Sequence, residues 1–225
     1  MKFRIVLLLI FIGTNLQAQD SLQRHIISLN TISYLGSQAP RWTAGYTTKI
    51  ADRWWAGTEI GYGTFWLSVH GRENDFLTRD YKLIEVRPQI YYDLRARGKL
   101  KHLLSAELFY INHTDRLRSD WYYGETAAVY YEYDAARYKR VKTGVNINLN
   151  TIYYLGKKFV LWQQIGAGIR NRKVSFSDLD NLRRSERFND GEEHFGWVGE
   201  YNYVREEGSS LRFNFNLELK LAYIF

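Results

Sequence analysis

The chain has 225 residues, with 31 Lys and Arg against 24 Asp and Glu for a net charge of +7, no cysteine, and 16% aromatic residues that include 18 Tyr and 7 Trp. Without cysteine there is no disulfide, no thiolate metal site, no thiol nucleophile and no lipid anchor on an N-terminal cysteine. Mean hydropathy is −0.41, and no stretch after the N-terminus approaches the roughly 20 apolar residues of a spanning helix, which argues against a helical membrane protein.

Met1, Lys2, Phe3 and Arg4 open the chain, residues 5–12 are all apolar, and Leu16, Gln17 and Ala18 precede Gln19 and Asp20. A basic start, a short apolar run and a small residue before the cut are the parts of a secretory signal peptide. The apolar run covers about 12 Å of helix, too short to anchor in a hydrocarbon core about 30 Å thick. The expected division is therefore a cleaved signal over residues 1–18 and one domain over 19–225. Losing Lys2 and Arg4 lowers the net charge from +7 to +5. Export argues against nucleic acid as the partner of that positive charge.

Beyond the signal, period-two alternation recurs along the chain. Residues 25–35 carry it weakly. Trp42, Ala44, Tyr46, Thr48 and Ile50 then alternate with Arg41, Thr43, Gly45, Thr47 and Lys49. Trp54, Ala56, Thr58, Ile60, Tyr62 and Trp66 face away from Glu59, Gly61 and Gly63, and Ile84, Val86, Pro88, Ile90 and Tyr92 from Glu85, Arg87, Gln89, Tyr91 and Asp93. Residues 103–112 repeat the pattern less clearly, with Glu107 on the polar side. Val141, Thr143, Val145, Ile147 and Leu149 alternate with Lys142, Gly144, Asn146, Asn148 and Asn150. Phe159, Leu161, Ile165, Ala167 and Ile169 alternate with Trp162, Gln164, Gly166, Gly168 and Arg170. The last strand is the clearest: Leu211, Phe213, Phe215, Leu217, Leu219, Leu221, Tyr223 and Phe225 oppose Ser210, Arg212, Asn214, Asn216, Glu218, Lys220, Ala222 and Ile224. No helix keeps such a set on one side.

About eight strands, each long enough to cross a bilayer when tilted, predict an all-β, closed antiparallel transmembrane barrel. Tight turns near Asp52, over 96–101 and over 156–158 alternate with longer connections over 36–40, 70–79, 113–136 and 175–209. Short turns on the periplasmic rim and longer extracellular loops on the other are the build of such barrels. A soluble barrel would alternate too, with its apolar face inward. The polar face decides for the membrane: Glu59, Glu85, Arg87, Glu107, Lys142, Arg170, Arg212, Glu218 and Lys220 sit mid-strand among glycines and asparagines. Charges of both signs beside small residues suit a narrow lumen, where they pair. The expectation is a lumen charge network that plugs the barrel. Pro88, with no edge strand to hold it, predicts a bulge.

The signal peptide, alternating strands and terminal Phe225 resemble small Gram-negative outer-membrane barrels of the OmpA, OmpX and OmpW kind. Glu85-Val86-Arg87-Pro88-Gln89-Ile90-Tyr91-Tyr92 and Gly166-Ala167-Gly168-Ile169-Arg170 resemble uncharacterised Bacteroidota barrels. The resemblance implies the bacterial outer membrane as location, and lipids with lipopolysaccharide as neighbours. It also implies that Leu217, Leu219, Leu221, Tyr223 and Phe225 form the C-terminal signal read by the barrel assembly machinery. It carries no catalytic motif and implies no cofactor.

The expected role is structural or surface interaction through the extracellular loops. Trp121, Tyr122, Tyr123, Trp197 and Tyr201 are the candidate loop contacts for an unidentified surface partner, or else cross-strand pairs that extend the strands beyond the membrane. Lys173, Arg183, Arg184 and Arg187 suit lipid phosphates or plain solvation. The five histidines, His25, His70, His102, His113 and His194, show no metal spacing. The alternative class is an enzyme that modifies lipid A or phospholipid acyl chains. His113 with Asp115 and Ser119 would supply its base, acid and nucleophile, and His70 near Asp75 would supply a base and an acid.

Overall fold

A computed structural model describes residues 25–30, 39–65, 78, 80–97, 100–124, 129–185 and 205–225. Among the described residues nine strands run in chain order as β1 (His25–Asn30), β2 (Trp42–Lys49), β3 (Trp54–Thr64), β4 (Lys82–Arg97), β5 (Leu100–Gly124), β6 (Val129–Tyr154), β7 (Phe159–Asp180), β8 (Arg183–Arg184) and β9 (Gly208–Ile224). Each long strand pairs antiparallel with its neighbours, and β9 returns to β1 with Ile26 opposite Ile224 and Leu29 opposite Leu221. The ring of eight is closed, and the two-residue β8 lies on β6 outside it. The predicted all-β antiparallel barrel is the fold.

The ladder also fixes the stagger. From Leu211 it passes through Asn171, Thr143, Tyr110, Val86, Ile60, Ala44 and Leu29 and re-enters β9 at Leu221. One circuit therefore advances ten residues along the strand. With about 3.3 Å per residue and about 4.8 Å between strands, that stagger tilts the strands by about 40°.

Polarity changes twice along the barrel's length. In the middle, the outward side chains are apolar and exposed: Ile60 at 59%, Leu108 at 57%, Ile147 at 59% and Leu217 at 50%. Their inward neighbours Glu59, Glu107, Asn146, Asn148, Asn216 and Glu218 are buried. Towards the short turns, the inward face becomes apolar, with Ile26, Trp55, Leu103, Ile152, Val160, Trp162 and Ile224 forming one packed cluster. Outside that cluster lies an aromatic row, in which Trp54 meets Tyr92 at 5.0 Å and Phe159 meets Tyr223 at 5.4 Å between ring centroids. Towards the other end the pattern inverts. Thr114, Arg116, Arg137, Lys139, Lys173 and Ser177 point outward, while Leu117, Ala136, Tyr138, Val174 and Phe176 are buried inside. An apolar belt facing out over a polar interior, bounded by aromatic residues, is the arrangement of a barrel surrounded by lipid. The sheet beyond it is polar outside and apolar inside, as befits water.

Two sequence expectations change here. The connection expected over 113–136 is in large part strand, because β5 continues to Gly124 and β6 begins at Val129, and β7 carries strand into the one expected over 175–209 as far as Asp180. These extensions carry no outward apolar stripe, since their outward face meets water, and their inner face switches parity near Ser119, which has φ 50°. Pro88 makes no bulge. The β4–β5 ladder skips Arg87 and Pro88 and resumes at Gln89 opposite Glu107 in the same register, so the missing N–H removes pairing without an inserted residue. The register shift in that pair falls instead between Asp93 and Arg95.

Candidate functional site

Alternation on a closed sheet sends every second side chain into a narrow space, so residues far apart in sequence must meet there. Glu59 on β3, Glu85 and Arg87 on β4, Glu107 on β5, Gln164 on β7 and Glu218 and Lys220 on β9 are all buried. Arg87 donates through Nη1 to Glu218 at 2.6 Å and to Glu107 at 3.2 Å, and through Nε to Glu85. Glu85 also accepts from Arg41, with the second arm of that fork at 3.2 Å. Lys220 donates to Glu59 and, at 2.9 Å, to Gln164, while its Nζ stands 2.9 Å from Glu218 Oε2. Glu107 collects further donors from Asn146 at 2.8 Å, Asn148 at 3.3 Å and Gln164 at 2.9 Å.

Several of these bonds join strands that are not neighbours. Arg87 to Glu218 spans from β4 to β9, Gln164 to Glu107 from β7 to β5, and Lys220 to Glu59 from β9 to β3. Such reach requires small residues on the wall. A Cβ on Gly61 would stand 2.8 Å from Glu85 Oε2, and one on Gly45 would stand 2.9 Å from Glu59 Cγ. Buried charge is tolerated only where it is paired and hydrogen-bonded, and here each carboxylate has a cation or several amides. Arg41, Gln89, Asn146, Asn148 and Gln164 belong to the network too. Parity placed them on the polar face, but nothing in the sequence said which of them would touch.

Lys142, Arg170 and Arg212 share the parity of these residues. They lie nearer the long-strand end with Arg140 and Arg172, on the inner wall of β6, β7 and β9. Lys142 is directly opposite Arg172, and Arg170 directly opposite Arg212. Arg172 and Arg212 both donate to Glu206, at 2.9 and 3.0 Å. Arg170 approaches Asn214 at 3.5 Å.

The aromatic candidates divide. Trp121 meets Tyr130 edge-on at 5.6 Å and lies under the Arg205 guanidinium at 4.9 Å, and Arg205 in turn holds Asp120 at 3.0 Å. Tyr123 meets Tyr130 at 5.1 Å. Tyr122 is buried, stacked on Phe176 at 4.4 Å and on Tyr131 at 5.4 Å. All three sit on the paired ends of β5 and β6, with Tyr122 opposite Tyr131 and Tyr123 opposite Tyr130. Tyr122 therefore packs within the sheet. Trp197 and Tyr201 lie outside the described residues.

His113, Asp115 and Ser119 form no relay among the described residues. The His113 ring is buried edge-on between Tyr81 at 4.9 Å and Tyr138 at 5.1 Å, and neither ring nitrogen has a hydrogen bond. Asp115 accepts instead from the Thr78 hydroxyl and, at 3.2 Å, from the Thr78 amide. Burial holds the Asp115 carboxyl above the usual range, with the Thr78 bonds opposing. Asp134, near β8, is held below that range by the Asn181 amide and the Arg183 guanidinium. His70, Asp75 and His194 lie outside the described residues, and among the described residues no three metal-ligating side chains converge.

No protein-family model and no curated protein matches this sequence. Among solved structures, the barrel is similar to a major outer membrane protein from Thermus thermophilus. The TM-score is 0.46 at 10% identity, covering 90% of this chain and 98% of that one.

Proposed function

We propose that residues 19–225, freed of a signal peptide, form a bacterial outer-membrane barrel with a closed lumen. Its role is structural or surface-interacting rather than enzymatic. The observation that carries this is the set of bonds across the lumen from Arg87, Lys220 and Gln164, beneath an outward belt of exposed apolar side chains. An eight-stranded ring has room for little beyond its own side chains, and here those side chains bond one another across the axis. The short turns then face the periplasm, and the extended β5–β6–β7 sheet stands outside the cell. Trp121 and Tyr123, only partly buried near its tip, remain the candidate surface contacts. Leu217, Leu219, Leu221, Tyr223 and Phe225, on the lipid-facing side of β9, serve as the assembly signal. Outer-membrane lipids and lipopolysaccharide surround the barrel.

The test is conductance. Purified protein in planar bilayers passes little steady current, and lipid A from a deletion strain keeps its acyl pattern. Large, stable channels would overturn the closed lumen, and an altered acyl pattern would overturn the non-enzymatic role.

A further inference from the structure

We infer that the short-turn mouth of the lumen is a binding site for a small apolar carboxylate. A cavity of about 190 Å³ lies there, and its lining comes from β1, β2, β3, β5, β6 and β9. Six of the eight ring strands contribute, so the cavity lies across the barrel axis and is not a crevice on one wall. Trp55 and Ile224 stand four residues nearer the short turns than Glu59 and Lys220 on the same strands, a distance of about 13 Å along the strand. The site is therefore separate from the charge network, and it goes beyond the closed lumen proposed above.

The lining divides by chemistry. Ile26, Leu103, Ile152 and Ile224 are buried and apolar, part of the packed cluster on the inner face near the short turns. A dry cavity of about 150 Å³ lined by such side chains takes a molecule the size of benzene, so this one accommodates an apolar group of about six carbons. Two ammonium groups join that lining. Lys101 pairs with Asp93 at 2.9 Å and stands 4.2 Å over the Trp55 ring. Lys49 lies 4.0 Å from Asp52, whose side chain is 97% exposed. An ion pair so exposed is weak and exchanges readily. The Lys49 side chain is itself 35% exposed, which makes it the charge that a ligand from solution meets first.

The sign of the ligand's charge follows from the rim. Residues 49–54, 93–102 and 155–159, the three short turns with their flanks, carry eight Lys and Arg against Asp52 and Asp93. A basic rim around a concave apolar floor raises the local concentration of anions. The lining is also short of acceptors. The Trp55 indole N–H is buried with no hydrogen-bond partner among the described residues, and a buried donor calls for one. Lysine is a point charge without the planar fork of arginine, which suits the single charge of a carboxylate.

Titration of the folded mature protein in phosphatidylcholine nanodiscs with hexanoate, at fixed ionic strength and with empty nanodiscs as the blank, tests this. Saturable binding of one hexanoate per chain is expected, tighter by about tenfold than that of hexylammonium, whose charge the rim repels. Lys49→Gln should weaken it by about threefold. Ile152→Trp, which fills the cavity, should abolish it, while Arg183→Gln, on the exposed β8, leaves it unchanged. Heat-modifiable migration on unboiled gels verifies that each variant is folded. Hexanoate should also raise the unfolding midpoint of the unaltered protein where acetate, which lacks the apolar tail, does not; this readout needs no variant. No saturable binding, or an equal response to hexylammonium or to acetate, overturns the site. A signal matched by the empty nanodiscs assigns the hexanoate to the bilayer and overturns it as well.

Discussion

Lys220→Met tests whether the lumen network holds the barrel together. The Lys220 side chain is 1% exposed, its ammonium donates to Glu59 and Gln164, and it lies 2.9 Å from Glu218 Oε2. Methionine keeps most of the volume but removes the charge, and with it the ammonium that stands over the Trp162 ring. Glu218 would still hold Arg87 at 2.6 Å, whereas Glu59 would be left with Gln89 at 3.1 Å. Glu59 is thus the group stranded by the substitution. Leaving one member of a buried pair without its counter-charge costs about 3–5 kcal/mol. The companion substitution Glu59→Gln removes the stranded charge, so the double variant should recover most of the loss, with a coupling of about 2–3 kcal/mol. Urea unfolding from phospholipid vesicles, followed by tryptophan fluorescence and by gel migration, supplies the free energies. A Lys220→Met cost under about 1 kcal/mol, or a double variant as weak as the two single losses together, would refute the reasoning.

Three further outcomes are expected. Ile147→Arg, in the middle of the outward belt, should cost about 2–4 kcal/mol of folding into bilayers, against under about 1 kcal/mol for Ser177→Arg on the outer extension of β7; equal costs would place the belt elsewhere. Asp115 has its folded pKa raised above its unfolded one, so its contribution is fully present below the ordinary aspartate range and lost as pH rises through the raised value. Asp115→Asn should flatten that decline in urea midpoint against pH, and an unchanged slope would remove Asp115 as its source. Deleting residues 223–225 should abolish the heat-modifiable band and the outer-membrane pool of protein, since it removes Tyr223 and Phe225 and the bonds joining the Phe225 and His25 backbones; normal levels would remove the assembly signal.

The alternation of Leu211 through Phe225 against Ser210 through Ile224 was enough to determine strand, face and membrane belt, because side-chain direction in a strand is a local property of period two. The same holds for the tight turns and for the residues that point inward. The partners of Arg87 and Lys220 depend on closure and stagger, which bring β4 and β3 opposite β9, and neither quantity is written in a local pattern. That Arg212 meets Glu206 has the same cause: parity sets the face, but height along the barrel comes from register with neighbouring strands. The outer halves of β5, β6 and β7 were hidden for a different reason. Once the sheet leaves the lipid, its outward face meets water, so Arg116, Arg137 and Lys139 replace the apolar stripe. Ser119 then switches the inner parity, and only the packed sheet reveals Tyr122 and Phe176 as its core.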